Sequence, residues 1–254
     1  MTVPAATAVA AVRCSTISVP VMLTLLPQTV RGQLCLPAHR NPKTVQLLVH
    51  GGTYNRAYWD IGDKRYSYQR DMAAAGFATF AIDCLGSGES SQPLSVLLTG
   101  MTEASVVSQV ATKLRTGAVT GKPFGKVVLV GHSMGSGVVV LAAATFRNAD
   151  GVILTGMTHS MNLPALTGIL VGSVRPALLD PRLSRRGGDP GYVTTMPGTR
   201  RVFHTPGDVA PAIVAADEAI KDQVPATVVP DLITLAFAGP LSRRINVPVL
   251  IANG

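Results

Sequence analysis

The residues best suited to chemistry are Gly131-His132-Ser133-Met134-Gly135. They follow the apolar run Val127-Val128-Leu129-Val130 and precede a segment rich in Ala, Val and Leu, so a serine falls on a sharp turn from strand to helix. Such a turn, a nucleophile elbow, holds the serine hydroxyl above the sheet edge. Glycines two places before and after it are needed where strand and helix come close. The Met134 amide would open the helix, where unpaired N–H groups and the helix dipole favour a developing negative charge. The chemistry implied is attack on an electrophilic carbon. The plainer reading is a glycine-rich turn that only connects a strand to a helix.

The elements that must position this serine can be read around it. Two strands are expected between about Thr16 and Pro37, with Val30, Gly32, Leu34 and Leu36 on one face, forming an antiparallel edge. Val45 to His50 is a near-continuous apolar run, as in a strand covered on both faces, and it ends in His50-Gly51-Gly52-Thr53. A helix from about Tyr66 to Ala75, stopped by Gly76, leads to a strand at Phe77–Ile82 and the loop Asp83-Cys84-Leu85-Gly86-Ser87-Gly88-Glu89-Ser90. A helix from about Glu103 to Arg115, the strand before Ser133, the helix after it to about Phe146, and a strand at Val152–Thr155 complete an alternation that predicts a parallel α/β sheet. Ligands of such sheets bind at the carboxyl ends of the strands, where both His50-Gly51-Gly52 and Ser133 fall. From about His159 to Arg244 the rhythm stops. That segment is expected to hold helices near Val209–Lys221, with Asp208 as N-cap, and near Asp231–Phe237, and no strand of its own. Asn246–Ala252 returns to a buried strand.

Composition bounds the alternatives. The chain has 254 residues, 47% of them hydrophobic, which suffices for one domain with a sizeable core. The net charge is +8. The basic residues are scattered, with pairs at Arg185-Arg186, Arg200-Arg201 and Arg243-Arg244, and read as a solvated surface rather than a nucleic-acid face. Cys14, Cys35 and Cys84 have no metal-ligand spacing; one pair could bridge. The N-terminal stretch lacks the positive region of a signal peptide, and no apolar run is long enough to span a membrane. The compartment and oligomeric state are left open.

Taken together, Leu48-Val49-His50-Gly51-Gly52 with Trp59, the Asp83 loop with Gly86, Gly88 and Ser90, the Gly131–Gly135 elbow and Val247-Pro248-Val249-Leu250-Ile251 resemble the α/β-hydrolase family over nearly the whole chain. The resemblance implies a mainly parallel central sheet flanked by helices, with a core at 1–158 and 245–254 and an inserted helical lid at 159–244. It makes Ser133 the nucleophile and gives the oxyanion-hole N–H groups to Gly52 and Met134. Thr53, His132 and His159 would line the substrate pocket. His50 and Asp83 would hold their loops. No cofactor and no metal is implied. The family's acid and histidine follow the last strand seen here, so the resemblance is to a member that stops before them. Within the chain, His159 or His204 could stand in for the base, with Asp180, Asp189 or Asp208 as an orienter only by coincidence; the plainer reading of either histidine is a surface or pocket residue.

Two functions follow. One is a serine hydrolase acting on a small to medium hydrophobic carboxylic ester or related acyl compound through an acyl-enzyme on Ser133. A lactonase or acyltransferase would use the same residues, whereas epoxide hydrolases and haloalkane dehalogenases of this fold carry Asp where Ser133 stands. The other is a catalytically impaired protein that keeps the pocket and binds a small apolar ligand.

Overall fold

The computed structural model describes residues 12–38, 40–62, 64–158, 163–205 and 207–253. The chain opens with a long antiparallel hairpin, β1 (Val12–Leu23) and β2 (Leu26–Pro37). Cys14 lies directly opposite Cys35, with 4.1 Å between their Cα atoms, and the two are joined by a disulfide; Cys84 is free and buried. Then come β3 (Thr44–Val49), α1 (Tyr68–Ala74), β4 (Ala78–Ile82), α2 (Gly100–Thr116), β5 (Lys126–His132), α3 (Met134–Phe146) and β6 (Gly151–Thr155). Every one of these was expected, to within a few residues. Local chemistry sets their ends: Ser67 caps α1 by accepting from the Arg70 amide, Thr99 and Thr102 form a reciprocal cap on α2, and Gly117 ends α2 with a left-handed backbone.

The strands β1 to β6, with β10 (Val249–Ala252) at the far end, form one seven-stranded sheet in the order β1-β2-β4-β3-β5-β6-β10. β1, β2 and β4 pair antiparallel; β4, β3, β5, β6 and β10 pair parallel. The strands at the middle are buried on both faces because each face meets a different layer. Val45, Leu47 and Val49 of β3 pack with Val107, Val110 and Val138 of α2 and α3, whereas Leu48 meets Ala81, Val130 and Trp59 on the opposite face. Hydrophobic side chains on both faces are what a continuous apolar run encodes. At the far edge, β10 pairs with β6 alone among the described residues, and Val249, Leu250 and Ile251, expected to be buried, are exposed.

Between β6 and β10 lie α4 (Leu163–Ser173), β7 (Val174–Pro176), β8 (Tyr192–Thr195), α5 (Pro211–Ala219), β9 (Val224–Pro225) and α6 (Val228–Asp231), which continues as one wide helical turn over Leu232–Phe237. The expectation that this segment has no strand is corrected: β7, β8 and β9 make a small antiparallel sheet. They are too short to show an alternating pattern. Asp208 does not cap α5. The helix starts at Pro211, with Ala210 at the cap position, because proline lacks the N–H that a first helical residue leaves unused.

The intervening segment is tied to the loops that leave β3 and β4. The Asp222 amide donates to Thr53 O at 2.8 Å, and Asn55 Nδ2 donates to Asp222 Oδ2 at 2.9 Å. Ser87 Oγ donates to Gln223 O at 2.8 Å, and Tyr192 OH to Pro93 O at 2.6 Å.

Candidate active site

Ser133 stands between β5 and α3 with φ +50° and ψ −117°, a left-handed backbone that a serine adopts only where its surroundings force it. Two sets of interactions do so. A Cβ on Gly131 would lie 2.5 Å from Ser136 Cα, and one on Gly135 would lie 2.4 Å from the carbonyl oxygens of both Val49 and His50. Glycine at these places therefore lets α3 start against β3 and β5. The second set comes from Thr155 at the end of β6. Its carbonyl accepts from the Ser133 amide at 2.8 Å and from Ser136 Oγ at 2.9 Å, and its own amide donates to Ser136 Oγ at 3.1 Å. The Ser133 carbonyl is taken up by the Ser136 and Gly137 amides, so the turn is bonded on both sides. The Ser133 residue itself is exposed to solvent.

The end of β3 lies against this turn. A Cβ on Gly51 would be 3.4 Å from Ser133 Cβ, and one on Gly52 would be 3.4 Å from Met134 Sδ. Gly52 and Met134, the two residues expected to present amides, are thus neighbours beside Ser133. His50 underpins them. Its Nδ1–H donates to Gly51 O at 2.8 Å and its Nε2 accepts from the Cys84 amide at 3.1 Å, which fixes one neutral tautomer. Complete burial lowers its pKa, against the pull of the Gly51 carbonyl and of Asp83. Asp83 holds the next loop: its carboxylate accepts from the Arg56 amide at 2.7 Å and the Glu89 amide at 2.8 Å, and pairs with the Arg56 guanidinium.

Thr53 follows at once, and it too has a left-handed backbone, φ +61°. Its side chain is buried and its hydroxyl is turned toward Arg200 of the intervening segment. Arg200 Nη1 donates to Thr53 Oγ1 at 3.1 Å, to Thr53 O at 3.2 Å and to Thr195 Oγ1 at 3.2 Å. The other edge of the guanidinium is paired with Asp217 of α5, at 3.0 and 3.2 Å, and its face lies 4.0 Å from the centre of the Tyr54 ring. Both Arg200 and Asp217 are buried. The solvated surface expected of the Arg200-Arg201 pair therefore holds for Arg201 alone.

An aromatic wall flanks the serine. His132 stacks on Tyr58, with ring centres 4.5 Å apart, and Tyr54 meets Tyr58 edge-on at 4.8 Å and lies 6.4 Å from Phe203. Thr155 Oγ1 donates to Gly131 O, so it accepts from His132 Nδ1–H at 3.0 Å. Burial lowers the His132 pKa to about 4, outweighing the attraction of Asp217. The ring is neutral at physiological pH. Burial likewise raises Tyr58 to about 12 and lifts Tyr54 well above its ordinary value. His204, in the segment above, pairs with Asp217 at 3.2 Å and opens on a cavity of about 480 Å³ lined also by Val202, Val209 and Val214. His159 lies outside the described residues. Sequence reasoning missed Tyr58, Phe203, Arg200 and Asp217. The two aromatics stand next to residues it did single out, and nothing local marks the two charged ones.

A model of the alpha/beta hydrolase family matches residues 46–253. Among solved structures, the chain is similar to a probable hydrolytic enzyme of Pseudomonas aeruginosa PAO1, at 17% identity and a TM-score of 0.59 over 94% of this chain and 73% of that one. It is also similar to the 2-hydroxy-6-oxo-6-phenylhexa-2,4-dienoate hydrolase of Rhodococcus sp. strain RHA1, at 19% identity and 0.56, covering 96% and 82%. An alpha/beta hydrolase of Penicillium sp. sh18 aligns at 15% and 0.56, covering 95% and 90%. No curated protein matches the chain by sequence. At these identities the likeness is one of fold.

Proposed function

The chain belongs to the alpha/beta hydrolase family, and we propose that it is a serine hydrolase that opens a small to medium hydrophobic carboxylic ester, or a related acyl compound, through an acyl-enzyme on Ser133. The observation that carries this reading is the Ser133 turn: a serine held at φ +50° between two sterically required glycines, with Gly51, Gly52 and Met134 as its neighbours. In the proposed reaction Ser133 Oγ attacks the acyl carbon. The carbonyl oxygen becomes an oxyanion between the Gly52 and Met134 N–H groups, and such preorganised donors are typically worth about a hundred- to a thousand-fold each. The acyl C–O bond to the alcohol then breaks, the departing alkoxide takes the proton that Ser133 Oγ gave up, and water attacks the acyl-serine, returning a proton to Ser133 Oγ as the acid is released. Tyr54, Tyr58, His132 and Phe203 favour an apolar acyl or alcohol group at the wall they form. We take the segment 159–244 as a lid over this wall.

The proposal gives the base to neither His132 nor His204. His132 donates Nδ1–H to Thr155 and is stacked on Tyr58, and His204, turned to Asp217, makes no hydrogen bond to Ser133 among the described residues. Family order puts the acid and then the histidine after the serine in the chain. A fluorophosphonate probe tests the reading. Covalent labelling of the wild type and none of Ser133→Ala supports it. A folded wild type that labels no faster than Ser133→Ala sinks it and leaves the ligand-binding reading, which an apolar fluorescent ligand would then report.

A further inference from the structure

Thr53 is the residue after the proposed oxyanion donor Gly52, and its backbone is in a region that a β-branched residue rarely occupies. Nothing in its own sequence favours this conformation. What meets Thr53 is the Arg200 guanidinium, from a position 147 residues away, binding both its carbonyl and its hydroxyl through Nη1. Arg200 has little freedom to leave. Asp217 holds Nε and Nη2, Thr195 shares Nη1, the Tyr54 ring covers one face, and the whole side chain is buried. The Asp222 amide adds a second bond to Thr53 O, at 2.8 Å.

We propose that Arg200 is a positioning residue, with Asp217 as its anchor: by holding Thr53 it fixes the turn that presents the Gly52 N–H to the carbonyl oxygen of the acyl substrate. This deepens the serine-hydrolase reading and rests on it. It also gives the lid a part in catalysis beyond covering the substrate, since the lid would complete the donor pair. A planar guanidinium fits the task better than an ammonium, because it can bind Thr53, Thr195 and Asp217 with separate N–H groups while stacking on Tyr54.

The experiment compares wild type, Arg200→Met, Arg200→Lys, Thr53→Val, Ser133→Ala and the exposed-site control Arg185→Ala in the full-length protein. Three quantities are read: the second-order rate of fluorophosphonate labelling, kcat and KM for p-nitrophenyl butyrate, and amide hydrogen exchange of the peptide spanning residues 50–56. Arg200→Met is expected to slow labelling about 10- to 100-fold, the scale of a misplaced rather than a deleted donor. The loss should fall on kcat, with KM changed less than about threefold. Exchange should quicken at 51–54 before the rest of the sheet loosens. Arg200→Lys should recover part of the rate, Thr53→Val should lose several-fold, and Arg185→Ala should match wild type. A merely structural arginine would lower the melting temperature and leave kcat and the local exchange alone. A folded Arg200→Met that labels at the wild-type rate overturns the proposal while the hydrolase reading stands. If Arg200→Met does not fold, an unchanged rate and exchange in Thr53→Val overturns it. Failure of wild type to label faster than Ser133→Ala removes both.

Discussion

Replacing Glu103 by Gln should remove a loss of stability that accompanies rising pH, with a sign and size that follow from burial. Glu103 lies in the first turn of α2, is 2% exposed, and neither carboxyl oxygen has a hydrogen-bond partner of normal geometry among the described residues. Burial raises its pKa from 4.5 to about 8, and only the nearby Leu85 amide opposes that. The folded state thus keeps a proton that the unfolded state releases above about 4.5. The stability this proton contributes is complete below the unfolded pKa and is lost as pH rises through the folded one, at about 1.4 kcal/mol per pH unit. From pH 5.5 to 8 the loss is about 3 kcal/mol, or roughly 6–10 °C in melting temperature for a domain of this size. His132 and His50 act oppositely. Their pKa values are lowered by folding, so each gains stability as pH rises between the folded value and 6.5. The assay is therefore the difference between wild type and Glu103→Gln, in which the histidines cancel. Melting temperatures measured every half unit from pH 5.5 to 8.5 should show Glu103→Gln gaining steadily on wild type and levelling off above about pH 8. A difference that stays constant across this range would refute the burial argument, because it would mean that Glu103 has the same charge in both states.

Three other variants test the elbow and the hairpin. Ser133→Gly should abolish labelling yet raise stability by about 1 kcal/mol, since relief of about 1–3 kcal/mol of backbone strain exceeds the cost of about 0.5–1 for a freer unfolded chain; a thermal melt checks it, and a lower midpoint would deny the strain. Gly135→Ala should cost about 3 kcal/mol or prevent folding, because its Cβ meets two carbonyl oxygens at 2.4 Å and no rotamer can relieve that; a variant as stable as wild type would show that α3 can move. Replacing Cys14 and Cys35 together by Ser and Ala should cost about 3 kcal/mol, from a crosslink closing 21 residues, and the matching loss should appear when wild type is melted with reductant.

What could be read from the sequence was what neighbours along the chain decide. The strands of the sheet show as apolar runs because both faces are covered, and the elbow shows because Gly131 and Gly135 lie two residues from Ser133. The strands β7, β8 and β9 have three, four and two residues, too few for any periodicity to register. Burial of β10 was expected from its composition, yet composition does not reveal which edges of a strand are paired. Arg200 was read with Arg201 as a surface pair. A charged residue is normally at the surface, and the partners that bring this one inside, Asp217 and Thr53, are 17 and 147 residues away.

Four non-glycine residues among the described ones have a left-handed backbone, and they divide the same way. Thr24 turns the first hairpin and Arg147 ends α3, both places where such a conformation is ordinary. Thr53 and Ser133 are different: they bracket one spot, the meeting of the β3 exit with the start of α3. Strain persists where the surroundings over-determine it. At Ser133 the determinants are Gly131 of β5, Gly135 of α3 and Thr155 of the neighbouring strand, all within the core. At Thr53 they are Arg200 and Asp222, both from the segment above the sheet. The geometry of the proposed nucleophile thus belongs to the core, while the geometry beside the proposed oxyanion donor depends on the segment between β6 and β10. A hydrolase built this way would keep Ser133 in place when that segment opens, but would have its donor pair in register only when the segment is seated.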